Sequence, residues 1–90
     1  MKKTVISVIG NDAVGITAKV AAVCSAHNVN IIDISQSVMQ EMFVMVMMTD
    51  VSGIDCPLNT FKEEMKQLGS SMALDIRVMH EDVFNSMHRI

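Results

Sequence analysis

Two segments of this chain, Thr4–Ile9 and Met42–Thr49, are apolar on both faces of an extended backbone. A strand of that kind needs neighbours on its edges and cover on its faces, so each predicts a central place in a sheet. β-Branched residues dominate the first, and Met and Val dominate the second. Between them, Asn30–Met39 alternates, with Ile32, Ile34 and Val38 pointing one way and Asp33, Ser35 and Ser37 the other. That is an edge strand with one polar face. Gln40 and Glu41 form the tight turn that follows it. A fourth alternating run, Met72 to His80, sets Leu74, Ile76 and Val78 against Asp75 and Arg77.

Two stretches carry helical spacing instead. Ile16, Val20, Val23 and His27 define one buried stripe, while Lys19 and Ser25 fall elsewhere on the wheel. Asp12 is the expected N-cap and Asn28 the expected left-handed stop. The second helix opens at Pro57, buries Leu58, Phe61, Met65 and Leu68, and ends at Gly69. Lys62, Glu63, Glu64 and Lys66 form its polar side. The tail from Glu81 predicts a short helix showing Val83, Phe84 and Met87.

The order is thus β-α-β-β-α-β with a tail and no low-complexity linker. It predicts an α+β, ferredoxin-like βαββαβ sandwich: a four-stranded antiparallel sheet with two helices on one face and a short C-terminal helical tail. The first and third strands are central in that topology, and they are the two most apolar. This agreement between local pattern and global topology carries the assignment. At 90 residues the chain is read as a single domain, 1–90.

Ten methionines and only three aromatic residues imply a core that packs adaptably. The formal charge of −3 argues against an electrostatic hold on nucleic acid or anionic lipid. Sheet-borne RNA recognition also needs stacking aromatics beside basic residues, and the central strands offer Met, Val and Ile with one Phe. Cys24 and Cys56 belong to no CxxC pair and read as free thiols in a reducing compartment. No run has the length of a signal core or a membrane span, so a cytoplasmic location is expected.

Catalytic constellations do not assemble. No Ser/His/Asp or Cys/His pair falls together, and the only arginines, Arg77 and Arg89, lie late in the chain. His80, Glu81, Asp82 and His88 match no standard metal spacing, and the first loop lacks the cysteines of a copper carrier. No enzyme activity, cofactor or metal is expected. Two strands apolar on both sides leave a hydrophobic sheet face opposite the helices. It calls for cover by the tail, through Val83, Phe84 and Met87, or by a second subunit. Self-association through the second strand and first helix is expected.

The remaining feature is Val8-Ile9-Gly10-Asn11-Asp12-Ala13-Val14-Gly15-Ile16, a strand-to-helix loop with one glycine ending the strand and another in the first helical turn. Glycines there allow a sharp turn and close approach to main-chain N–H donors, and the helix start favours an anion. Together with Asn30-Ile-Ile-Asp-Ile-Ser-Gln36, this segment resembles the ACT domain. The likeness spans nearly the whole chain and is strongest to small stand-alone ACT proteins. The ACT units of the glycine-cleavage repressor and of formyltetrahydrofolate deformylase are similar in the same stretches.

The resemblance implies a regulatory module, usually dimeric, that binds an amino acid or similar small metabolite. In that family the ligand often sits between the first loop of one subunit and the second strand of its neighbour. Carried over, the loop positions are Asn11, Asp12, Ala13, Val14, Gly15 and Ile16, and the opposing positions are Asn30, Ile31 and Asp33. N–H groups of Ala13 to Ile16 would take the ligand carboxylate, and Asn11 and Asn30 would orient it. Asp12 would pair with the ammonium or simply cap its helix. The resemblance further implies a homodimer and, as downstream partner, a regulated enzyme or a transcription-related protein. A ligand-free dimerisation or docking module is the alternative. An acylphosphatase-like hydrolase ranks below both, because this loop has no arginine.

Overall fold

The computed structural model describes residues 2–11 and 15–87, Met87 in its backbone alone. Its elements are β1 (Lys3–Gly10), α1 (Ile16–Ala26), β2 (Asn30–Met39), β3 (Met42–Asp50), α2 (Leu58–Ser71), β4 (Asp75–His80) and α3 (Glu81–Met87). The four strands form one antiparallel sheet in the order β2-β3-β1-β4. β1 and β3 are central and β2 is an edge, as their apolar patterns require.

The core lies between one face of the sheet and the two long helices. Ile6 and Val8 of β1, Met45 and Met47 of β3, and Ile76 of β4 meet Ile16, Val20 and Cys24 of α1 and Phe61 and Met65 of α2. Each fully buried side chain of this size contributes about 1.5–3 kcal/mol. Methionine supplies the centre: the Thr17 hydroxyl at the start of α1 even donates to the Met45 sulfur at 3.6 Å. That contact places the first turn of α1 above β3. The stripe of α1 runs through Cys24, with Val23 only half-buried at its margin. On α2 Leu58 is exposed, and Gly69 joins Phe61 and Met65 in the interior.

Helix boundaries depart from the sequence expectation at two points. Gly15 stands at the capping position rather than inside the first turn of α1, at φ +74°, a left-handed conformation that glycine adopts freely. Asp12, expected as the cap, lies outside the described residues. Gly69 does not end α2, which continues to Ser71. The left-handed residue is Ala73, at φ +55°, and the amides of Leu74 and Ala73 donate back to the carbonyls of Gly69 and Ser70. Residues 72–74 are therefore spent on a Schellman turn, and β4 begins only at Asp75. The same device closes α1, with Asn28 at φ +59° and the Val29 amide on the Cys24 carbonyl at 2.8 Å.

Gln40 and Glu41 both take positive φ, 49° and 69°, as a two-residue hairpin turn requires. In β2 a bulge between Ile31 and Asp33 breaks the alternation at Ile32. On the face away from α1 and α2, α3 packs against β1 and β4. Phe84 lines a depression of about 260 Å³ with Ile9, Val44, Val46 and Met79, while Val83 is half-exposed. The tail thus covers part of the open face.

Candidate functional site

β1 delivers the chain to Gly10 at the end of the sheet level with Phe43 and Val38. Asn11 follows it and is exposed. Asp12, Ala13 and Val14 lie outside the described residues. Gly15 is exposed and its carbonyl accepts the first helical bond, from Lys19 at 3.1 Å. The first amides beyond it have no intrahelical acceptor by the geometry of any α-helix, so this end can receive an anion. The Ile16 side chain is wholly buried, which leaves only its amide for the role expected of it.

Asn30 and Ile31 begin β2 at the opposite end of the sheet, level with Asp50 and Thr49. Asn30 is exposed and Ile31 half-buried against the core. Both line an open hollow of about 320 Å³ along the flank of α1 with Ala21, Ser25 and Asn28. Asp33 is exposed and its Oδ1 accepts from the Ile34 amide at 2.9 Å.

The two groups of expected residues are not brought together within one chain. β1 and β2 both pair with β3 and so run parallel, and Gly10 and Asn30 stand a strand length apart, roughly 23 Å. β2 is nonetheless an open edge, exposed from Ile32 to Met39. Ile32, Ile34, Val38 and Met39 are among the large exposed apolar residues of the molecule.

One cluster was not legible as such in the sequence. His27, at the end of α1, is flanked by Asp55 on Nδ1 and Glu64 on Nε2, each at 2.9 Å. Its side chain keeps 17% of its surface exposed, and the ring meets Phe61 edge-on. The hydrogen bond to Asp55, then that to Glu64, raises its pKa above the ordinary value of 6.5. The Cys56 thiol lies beside it, its pKa raised by desolvation and then by the two carboxylates. The sequence signal was present in two halves, a histidine at a helix end and Asp-Cys-Pro at a helix start. Elsewhere, His80 Nδ1 accepts from the Asp82 amide at 3.1 Å. His88, considered with it as a metal ligand, lies outside the described residues.

Strand order and helix placement define a small α+β module of the βαββαβ type whose β2 edge is exposed. The sequence profile of the ACT domain matches residues 2–79, and the chain belongs to that family. It is 42% identical over 90 residues to a UPF0237 protein of Methanopyrus kandleri, covering 100% of both chains. An ACT domain protein from Streptococcus pneumoniae superposes with a TM-score of 0.79 at 29% identity, over 92% of this chain and 93% of that one. A formyltetrahydrofolate deformylase from Pseudomonas syringae pv. tomato shares the fold, with a TM-score of 0.78 at 23% identity. The match takes in 88% of this chain and 27% of the deformylase.

Proposed function

We propose that the protein is a non-catalytic regulator that binds an amino acid or a similar small metabolite across a homodimer interface. The observation that carries the reading is the opposition of the two half-sites on a sheet whose β2 edge is open. Antiparallel pairing of β2 with its own copy, about an axis near Ile34 and Ser35, brings the partner's Asn30–Asp33 stretch level with this chain's loop. The start of α1 stands above β3, so two strand spacings, roughly 10 Å, separate it from the partner's edge. That gap suits a small molecule. Its carboxylate would lie on the amides at the start of α1, with Asn11 and the partner's Asn30 orienting the rest. Gly15 is required by the turn in any case, and its lack of a side chain keeps that approach open.

A thermal-shift panel of the free amino acids on the purified chain tests the reading. A ligand at a hundredfold excess over its Kd stabilises by about 2.7 kcal/mol. The expected result is a raised midpoint with one or two chemically related amino acids, lost in Asn11→Ala. A flat panel on a folded dimer would overturn ligand binding and leave the fold as a docking module for another protein.

A further inference from the structure

We propose that His27, Asp55 and Cys56 form a binding site for a divalent transition-metal ion of the zinc class, at the junction of α1 and α2. One ligand atom from each, an imidazole nitrogen, a carboxylate oxygen and the thiol sulfur, all lie within 4.8 Å of one another. Tetrahedral zinc with bonds of 2.0–2.3 Å sets its donors roughly 3.3–3.8 Å apart. Asp55 and Cys56 close the difference by side-chain rotation, since both stand in the connection before α2 and Asp55 is largely exposed. The mixed nitrogen, oxygen and sulfur set suits a borderline ion such as Zn²⁺ better than Mg²⁺ or Ca²⁺, which take oxygen.

Two further features set this cluster apart from a histidine held between acids. Nε2 of His27 is 2.9 Å from Glu64 Oε2, which fixes the ring and leaves Nδ1 as the nitrogen on the Asp55 side. Metal-bound histidines are oriented by an outer carboxylate in this way. The backbone is also braced before any ion arrives. The Asp55 amide donates to the His27 carbonyl at 3.2 Å, and Asn28 Nδ2 donates to the Gly53 carbonyl at 2.8 Å. The thiol plays no part in a histidine–carboxylate pairing, yet it completes the donor triangle, with the fourth position left to water. This proposal does not rest on the amino-acid site.

The test is titration of the metal-free full-length chain with Co²⁺ as a spectroscopic probe, followed by displacement with Zn²⁺. The expected result is one ion per chain, visible bands of tetrahedral cobalt and a near-ultraviolet thiolate-to-metal band, all lost on adding Zn²⁺. Cys56→Ser removes the thiolate band, and Cys24→Ala leaves it intact. Glu64→Gln keeps the ligand set but weakens binding about tenfold to a hundredfold. The proposal is overturned by absence of the thiolate band from the unaltered chain, by its persistence in Cys56→Ser, or by Zn²⁺ raising the thermal midpoint equally in the unaltered chain and in Cys56→Ser.

Discussion

Cys24 has no exposed surface, and burial pushes its thiol up from 9.0 to about 11 against a smaller opposing effect of its own backbone. The thiolate is the reactive form, so folding protects this residue chemically as well as sterically. Iodoacetamide at pH 8 is expected to leave Cys24 unmodified in the native chain and to modify it in urea, as peptide mass mapping will show. The linkage has a definite sign. Below pH 9 the thiol is protonated in both states and its burial carries no ionisation penalty. Between about 9 and about 11 only the unfolded chain ionises, so this contribution to stability is lost as pH rises, by up to about 2 kcal/mol. Denaturation curves referenced to Cys24→Ala isolate it from the lysines. Cys24 takes the interior place in the α1 stripe expected of Val23 because a free cysteine packs as a small apolar group.

At the scale of the element, Gly69 illustrates what a sequence pattern leaves open. A Cβ there would lie 2.8 Å from the Leu74 carbonyl oxygen and 3.2 Å from Ile76 Cγ1. The glycine is therefore a contact surface that lets α2 approach the turn into β4, and not a stop. Gly69→Ala is expected to destabilise by about 1–3 kcal/mol, despite a helix preference for alanine of about 1 kcal/mol. Ala73→Gly should stabilise by about 1 kcal/mol, because it relieves the left-handed residue that does end the helix. Urea midpoints at constant slope measure both. Strands and the hairpin turn were legible because periodicity and turn length are local properties. Asn28 was legible as the left-handed stop of α1, but Ala73 was not legible as that of α2, because the contact of Gly69 with the turn into β4 decides where that helix ends. Gly10, Gly15 and the β2 segment of the proposed site stand out in the sequence, whereas the placing of Gly10 and Asn30 at opposite ends of the sheet comes from the strand pairing. The His27, Asp55, Cys56 and Glu64 grouping depends on a junction between two helices that no spacing encodes.

At the scale of the whole molecule, the exposed β2 edge is the surface on which the proposed dimer rests. Exposed strand edges invite pairing, and here the edge carries Ile32, Ile34, Val38 and Met39 with little charge. In an antiparallel pair, residues near the two-fold axis meet their own copies, and like charges placed opposite one another repel. The unaltered chain is accordingly expected to elute as a dimer and Ile34→Lys as a folded monomer. Size-exclusion chromatography with light scattering checks the mass, and circular dichroism checks the fold. A dimer that survives the substitution would point to an interface elsewhere, with the open sheet face beside Val44 and Val46 as the next candidate.

Because Gly10 and Asn30 stand at opposite ends of one sheet, a ligand that needs both must touch two chains at once. Such a ligand acts as a cross-link. Dilution of the protein would weaken its apparent hold on the metabolite, and added metabolite would tighten the association of the subunits by the same factor. Under the proposed function, cellular abundance of the chain would become a second input, and the pair would report the product of protein and metabolite levels rather than the metabolite alone.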